Sequence, residues 1–588
     1  MSTANEGDTN LVTTAKTALV IGGGISGLAS AALLARDGYT VTLLEKNDVL
    51  GGRAGVWEKD GFSFETGPSW YLMPEVFDHF FKLMGTSAEA ELDLVKLDPG
   101  YRVYFEGEFA PIDLQADRAA NLELFESLEP GSGVRMAGYL DSAQETYELA
   151  KEYFLYSTFE KLGPVFTARP VLKRLPRLVR LLTEPLASFA GRTVKDPRLA
   201  QVLGYPAVFL GSSPYAAPSM YHLMSHLDLD EGVLYPQGGI TTVIAAIERL
   251  ARAEGVEIVT GADVKRIVMA ADRAPAPAPA PVDAFDYETT MYDTDVIDRD
   301  ELARILAGEE PSEPKPADEQ TAPAGAAKPR VGGVHYTDTE GRAHSLEADV
   351  VVSTADLWHT ETTMLLPELQ TYPESYWEKR TAGPSALLVL LGVEGELPEL
   401  EHHTLFFAKD WKAGFGKIFD ELEVPDPASL YVCRPSATDP GVAPEGHENL
   451  FVLVPLPADP GIGAGGVDGA GDARIEELAD TVIAQIGEWA GIPDLASRVV
   501  VRRTIGPADF AETLNSWRGT ALGPAHTLRQ SAMFRARNVS GKVDGLYYAG
   551  GSTTPGIGLP MCLISAELVL KRLHGDTTTT ALPEPLAL

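Results

Sequence analysis

An α/β fold (α+β overall), with one unit assembled from discontinuous stretches of chain, is predicted by three observations. First, a short apolar run, Thr17–Ile21, enters Gly22-Gly-Gly-Ile-Ser-Gly27, continues as an Ala-rich helical segment to about Asp37, and reaches a second apolar run, Thr40–Leu44. That order is a β-α-β unit. Second, similar strand-like runs recur far along the chain, at 255–264, 348–353 and 545–548, and the last enters another glycine-rich turn. Third, a stretch from Asn121 to about Leu199 has helical spacing and separates the first two groups. A Rossmann-type unit stitched from several segments, with a second β-sheet region and a helical region threaded between, satisfies all three.

The size agrees with this. At 588 residues, the length alone suggests about four domains. With 45% hydrophobic and 22% charged residues, wholesale disorder, collagen and coiled coil are excluded. The net charge of −36 repels polyanions, so nucleic acid is not an expected partner. Two cysteines, Cys433 and Cys562, form no C-x-x-C pair, which argues against a disulfide scaffold and for a reducing compartment. Residues 1–16 are polar, have no apolar signal region, and read as a disordered leader. No run of about 18 apolar residues is present, so no spanning helix is expected.

The turn at 22–27 carries specific chemistry. Gly22 permits the tight turn, Gly24 lets backbone approach a pyrophosphate, and Gly27 lets helix and strand touch. The helix N-terminus then faces phosphate charge. Glu45 closes the second strand, where a carboxylate can hold both hydroxyls of a ribose that carries no 2′-phosphate.

The segment Gly51-Gly-Arg-Ala54 after this acid resembles the G-G-R motif of FAD-dependent amine-oxidase-like flavoproteins, and Phe64-Glu-Thr-Gly-Pro68 continues the resemblance. The resemblance implies FAD. It places Gly52, Arg53 and Ala54 along the diphosphate, where arginine is a bidentate donor. It places Gly67 and Pro68 near the isoalloxazine, the backbone of Val264 on the adenine, and Gly550, Gly551, Gly556, Ile557 and Met561 at the flavin end. Ser26 and Lys46 complete the cofactor set.

Within that superfamily the chain resembles the CrtI-type carotenoid (phytoene) desaturases. The carrying segments are Gly232-Val-Leu-Tyr-Pro-Gln-Gly-Gly239, Ala348-Asp-Val-Val-Val-Ser-Thr-Ala-Asp356, His402-His-Thr-Leu-Phe-Phe407 with Ile418-Phe419, and Gly550-Gly-Ser-Thr-Thr-Pro-Gly-Ile-Gly-Leu-Pro560. One position departs: relatives often read T-H-P-G where this chain has Thr553-Thr554-Pro555-Gly556. The resemblance implies desaturation of a C40 isoprenoid, phytoene toward lycopene, by hydride transfer from an allylic carbon to flavin N5 with loss of a neighbouring proton. It also implies an apolar tunnel, and oxygen or a quinone as electron acceptor. Alternatives on the same fold are a later-step desaturase, isomerase, saturase or oxygenase, or a non-catalytic flavin- or lipid-binding protein.

Catalytic residues are not specified by any motif. His403, Asp356, Arg518 and Glu567 are the candidates, with His402 beside them; each competes with an ordinary structural hydrogen bond. The His402-His403 pair shows no third ligand at metal spacing, so no metal is expected. Phe209, Tyr215, Tyr235 and Phe407 are candidate tunnel aromatics.

A basic, apolar stretch, Lys151–Leu186, stands out in an acidic chain. It suits either an anionic bilayer surface or a helix whose cationic stems cover the core. With the polyene resemblance, the membrane surface is the expected partner, and the expected location is cytoplasmic, peripheral to the inner face of the cell membrane. The division expected is then a leader, 1–16; cofactor-binding segments 17–120, 231–270 and 331–355; a helical substrate- or membrane-facing region, 121–230; a disordered Ala/Pro-rich acidic insertion, 271–330; a substrate domain, 356–500, with a flexible Gly-rich loop at 459–471; the end of that domain and the last cofactor segment, 501–574; and a flexible tail, 575–588.

Overall fold

In the computed structural model, residues 16–108, 110–161, 168–272 and 328–587 are described. The leader up to residue 15 and the insertion from 273 to 327 lie outside them.

Strand β1 (Thr17–Ile21), helix α1 (Ile25–Arg36) and strand β2 (Thr40–Leu44) form the β-α-β unit. β1 is the centre of a five-stranded parallel sheet. Val350–Ser353 and then Leu546–Tyr548 lie on one side, β2 and then Glu257–Val259 on the other. Four distant stretches of chain thus share one sheet. Parallel strands buried on both faces need near-continuous apolar runs, and Thr-Ala-Leu-Val-Ile and Val-Val-Val-Ser supply them. α1 packs between Ile240–Ala253 and Leu559–Leu573 through Leu28, Ala29, Ala31 and Ala32, and the three small alanines let the helices approach closely. An antiparallel sheet of Asp263–Met269, Val331–Thr337 and Ala343–Glu347 adjoins this body.

A seven-stranded sheet forms the second body, in the order Val499–Ile505, Ser385–Glu394, His447–Leu456, Leu430–Cys433, His403–Phe407, Tyr101–Phe105, Ile112–Leu114. Its faces follow the two-residue period of a strand. Leu387, Val389 and Leu391 meet the helix Ala473–Ala490, whose Ile475, Ala479, Val482, Ile483 and Ile486 form one apolar stripe. Ala386 and Leu388 point the other way, into a large cavity. Two segment boundaries are therefore corrected. Strands at 101–114 join this sheet rather than the cofactor body, through a parallel pairing of Tyr101–Phe105 with His403–Phe407. Residues Leu357–Trp377 pack on the parallel sheet with Leu19, Val351 and Leu546, not with the substrate domain. Both depend on partners too distant for local pattern to reveal.

A helical region comprises Arg118–Leu128, Ser132–Ala150, Arg169–Thr183, Leu186–Thr193 and Pro197–Gly204, and all but the third pack with Tyr101, Val103 and Phe407 of the seven-stranded sheet. Arg169–Thr183 is strongly amphipathic, with Val171 and Leu181 buried and Leu172 exposed. Its charges are divided. Arg174 and Arg177 turn inward to Glu145, while Arg180 is 63% exposed. No helix among the described residues is long and apolar enough to cross a membrane.

In this region Asp228 is buried, receives the Tyr101 hydroxyl at 3.1 Å on Oδ2, and has no partner for Oδ1. Burial pushes its carboxyl up to about 7, against that hydrogen bond. The folded protein therefore keeps this proton between about pH 4 and pH 7, where the unfolded chain has lost it. Stability from this group is full below pH 4 and is lost as pH rises to 7, by about 1.4 kcal/mol per unit and about 4 kcal/mol in all. Asp228→Asn should accordingly gain on the wild type by about that amount across the window, in urea titrations run at both ends. A difference independent of pH would show that the carboxyl is ionised throughout.

Two expected loops are packed structure. At 459–471, a Cβ on Gly465 would sit 2.1 Å from the Thr504 carbonyl oxygen, and Asp509 accepts from both Gly465 N (2.6 Å) and Gly506 N (2.7 Å). Its glycines permit close backbone contact rather than looseness. The tail also closes onto the fold. Leu582 and Leu586 are buried, Leu586 N bonds Leu83 O, and Leu582 N bonds Glu567 Oε1 at 2.6 Å. The fully buried Lys571 ammonium donates to the carbonyls of Tyr156 and Thr578, both at 2.9 Å, and of Thr580. Ending the chain after Gly575 should lower stability by about 3–5 kcal/mol, because a buried cation loses most of its acceptors. A thermal melt of the truncated protein, lower by several degrees, is the check.

Candidate functional site

One cavity of about 580 Å³ runs between the two bodies, within the ~300–1,000 Å³ of ordinary ligand sites. A single lining joins the glycine-rich turns of the β-α-β unit to aromatic residues of the seven-stranded sheet and its neighbouring helices.

Its polar end collects the residues read from the sequence. Gly22, Gly24, Ser26, Glu45, Lys46 and Gly52 line it from the β-α-β unit and the segment that follows. Arg53, Ala54, Gly67, Pro68 and Val264 join them, as do Gly550, Gly551, Ile557 and Met561 from the C-terminal turn. The helices at Gly24 and Gly558 both begin here without a side-chain cap, so free N–H groups of two helix starts face one space. Glu45 is held by Gly23 N on Oε2 (2.6 Å) and by Asn47 on Oε1 (2.8 Å). Arg53 Nε bonds Ala521 O at 2.7 Å and Nη2 bonds Ser516 Oγ at 3.1 Å, which fixes the guanidinium at the wall. Lys46 reaches away, to Glu512 O and Asn515.

The glycines separate into two kinds. A Cβ on Gly24 or Gly551 would meet no protein atom nearer than 3.8 Å, so these positions keep cavity space open. A Cβ on Gly27 would lie 1.8 Å from Gly22 O, and Gly27 does not line the cavity; it serves helix–strand packing. Gly556 is also off the lining, and its missing Cβ makes room for the His526 ring. A cradle left open at Gly24 and Gly551, a fixed arginine, two uncapped helix starts and an adjacent carboxylate match the diphosphate and ribose of FAD.

The other end is apolar, lined by Phe154, Phe209, Phe407, Trp411, Phe415 and Ile418. Of the expected tunnel aromatics, Phe209 and Phe407 are here. Tyr215 is not; it lies exposed near Phe415. Tyr235 is buried elsewhere, its hydroxyl 3.4 Å from Asp439.

Of the catalytic candidates, only Asp356 reaches the cavity. It caps the helix Leu357–Thr363 through Trp358 N (3.0 Å); burial raises its pKa, opposed by Arg53. Arg518 stacks over Trp517 away from the lining. Glu567 bonds His79 (2.9 Å) and the tail. His403 is fully buried, stacked 4.3 Å from Trp70, with Nδ1 2.7 Å from the Tyr431 hydroxyl. The sequence offers no third ligand at metal spacing beside His402 and His403, and the fold brings Cys433 close to both.

A residue that sequence reasoning missed is His526. It lines the cavity, accepts Ile557 N–H on Nε2 (3.2 Å), and bonds the Tyr221 hydroxyl through Nδ1 (2.8 Å). Burial, with Arg535 adding to it, holds the ring pKa well below its ordinary value, so it is a neutral imidazole. Thr554, at the position where relatives often carry histidine, points its hydroxyl to Asn538 at 2.6 Å instead. A histidine does reach this turn, but from 31 residues before Ile557, so no contiguous motif announces it.

The parallel sheet, the glycine cradle and the apolar arm define an FAD-dependent oxidoreductase. The comparisons place it further. A family model of flavin containing amine oxidoreductases matches residues 25–276 and 327–570, and the chain belongs to that family. Its curated relatives include a carotenoid 3,4-desaturase of Haloarcula japonica, 38% identical over 95% of this chain and 98% of that protein. A zeta-carotene-forming phytoene desaturase of Myxococcus xanthus is 32% identical over 94% of this chain and 93% of that one. The chain is thus closely related to the carotenoid desaturases. Solved structures at low identity share the fold. An oxidoreductase from Methanosarcina mazei aligns over 94% of this chain and 100% of that one, with a TM-score of 0.54 at 15% identity. A putrescine oxidase with bound putrescine aligns over 96% and 99%, with a TM-score of 0.53 at 12% identity.

Proposed function

We propose that this chain desaturates a linear C40 isoprenoid, phytoene toward lycopene. The observation that carries this reading is the apolar arm continuous with the glycine cradle. Its walls suit a long hydrocarbon with no polar handle. Asp410 is a charged lining residue beside it, and its Oδ1 is occupied in capping the helix Trp411–Gly416 through Ala413 N.

FAD held here would supply the two-electron oxidant for removal of a hydride from an allylic carbon and a proton from its neighbour. The protein does the rest. The helix starts at Gly24 and Gly558 and the guanidinium of Arg53 would bind the diphosphate, Glu45 would hold the ribose, and the backbone of Val264 would meet the adenine. His526 is a positioning residue: its Nε2 anchors Ile557, and hence the turn beside Gly550 and Gly551. The aromatic arm orients the polyene and excludes water.

Peripheral attachment to an anionic membrane surface, on the cytoplasmic face, fits the same arrangement. Phe154 and Leu155 line the cavity where the basic stretch begins, and Arg180 and Leu172 face outward from the amphipathic helix beyond. Oxygen or a quinone would reoxidise the flavin. A second reading, desaturation at the 3,4 position of an already conjugated carotenoid, is favoured by the 38% identity to the Haloarcula enzyme.

Incubating FAD-loaded protein with phytoene in liposomes, followed by chromatography and absorption spectra of the extract, tests both. A new red-shifted polyene from phytoene supports the first reading. Unchanged phytoene, with lycopene-type substrate converted, supports the second. No conversion of either removes both.

A further inference from the structure

We propose that His402, His403 and Cys433 form a binding site for one thiophilic transition-metal ion of the zinc class, which clamps two strands behind the cavity wall. The site does not depend on which polyene, if any, the enzyme desaturates.

The geometry begins with strand pairing. His403 and Cys433 stand directly opposite on the antiparallel strands His403–Phe407 and Leu430–Cys433, so their side chains share one face. His402 precedes the first strand, and its ring crosses that of His403 at 77° with centroids 4.6 Å apart. A nitrogen from each ring and the Cys433 sulfur lie within 4.8 Å of one another, and all three residues are buried.

The second observation is independent of that clustering. Nε2 of His402 and Nε2 of His403 are both buried and have no hydrogen-bond partner. These two buried ring nitrogens, on neighbouring residues, leave hydrogen-bonding capacity that an occupant could satisfy. Each ring is meanwhile held by its other nitrogen: His402 Nδ1 to Thr438 Oγ1 at 2.8 Å, and His403 Nδ1 to the Tyr431 hydroxyl at 2.7 Å. Such outer contacts orient metal-bound imidazoles and set which nitrogen is free. Burial pushes the Cys433 thiol up to about 12, and the hydroxyls of Tyr431 and Ser69 beside the sulfur oppose this.

The ligand set selects the ion. Two imidazoles and a thiolate favour zinc or copper over calcium or magnesium, which take oxygen. Zinc–nitrogen and zinc–sulfur bonds of about 2.0–2.3 Å would draw the three atoms closer by roughly an ångström. On binding, the metal–sulfur bond replaces the Cys433 S–H bond, and the proton leaves to solvent. The remaining positive charge faces the carboxyls of Glu65 and Asp439, while the nearby Arg434 is paired with Glu448 at 2.8 Å.

The location gives the ion its task. Ser69, Trp70 and Tyr431 line the substrate cavity on their other side, and Trp70 stacks on His403. A bound ion would hold these wall residues through the two strands.

The test is metal analysis of the full-length, FAD-loaded protein, produced with zinc or cobalt in the medium and dialysed against chelator. About one metal per chain is expected, with a thiolate-to-cobalt charge-transfer band in the cobalt form. Cys433→Ser should fall below about a tenth of that content and lose the band, while Cys562→Ser keeps both. Thr438→Val, which removes only an orienting contact, should weaken zinc affinity about 10–100-fold. Copper recovered at the same stoichiometry also supports the site. Flavin absorbance and near-ultraviolet circular dichroism establish that each variant is folded. Wild-type protein holding less than about a tenth of an equivalent of any such metal, or Cys433→Ser holding as much as wild type, overturns the proposal whatever the fate of the other variants.

Discussion

Gly27→Ala should yield a protein that purifies almost free of flavin, with desaturation reduced at least about 100-fold. The added Cβ would lie 1.8 Å from Gly22 O and 2.8 Å from Thr354 Oγ1. Neither neighbour can retreat. Gly22 is the turn itself, and the Thr354 hydroxyl donates to Ile21 O (2.9 Å) and Gly22 O (3.1 Å). The helix α1 must therefore move away from β1, carrying Gly24 and the N–H groups of its first turn out of place. Displacing a binding group by about 1 Å already costs about 100-fold. Flavin absorbance per protein is the first measurement, and conversion of substrate the second. Gly24→Ala is the companion variant. Its Cβ would meet no protein atom within 3.8 Å, so flavin-free Gly24→Ala should melt with the wild-type apoprotein while binding FAD more weakly. Normal flavin content in Gly27→Ala would show that the helix start does not position the cofactor.

Arg53→Ala should weaken FAD binding about 100-fold or more, from the loss of charge-assisted contacts worth about 1.5–3 kcal/mol each. The guanidinium is fixed by Ala521 O and Ser516 Oγ, so little ordering entropy is spent when the diphosphate arrives. Lysine at this position should recover only a small part, because an ammonium cannot satisfy Ala521 O and Ser516 Oγ while presenting a flat face to the ligand. Titration of apoprotein with FAD, followed by flavin fluorescence, gives the affinity. Equal affinity in Arg53→Lys and wild type would reduce Arg53 to a point charge.

The polar half of the site was legible because its pieces are short and chemically marked. A glycine turn between strand and helix, an acid ending the next strand and G-G-R-A immediately after it each follow from local geometry. Cys433 lies 30 positions after His403, and the two meet only because antiparallel register sets them opposite. His526 joins Ile557 through a turn with no repeating pattern. Glu567 looked available for chemistry, yet its carboxylate anchors His79 and the chain end. The tail reads as loose in sequence, while its Leu582 and Leu586 find pockets that no local signal describes.

By itself, the sequence determined the β-α-β unit, the use of FAD and the family, since those rest on contacts between near neighbours and on backbone conformations that only particular residues allow. Tertiary structure alone decided which sheet the 101–114 strands enter, which polar groups face the cavity, and that two histidines and a cysteine converge behind its wall. Strand register and helix packing bring together residues up to hundreds of positions apart. The free energy that selects those pairings is summed over the whole buried core, so no local segment carries it.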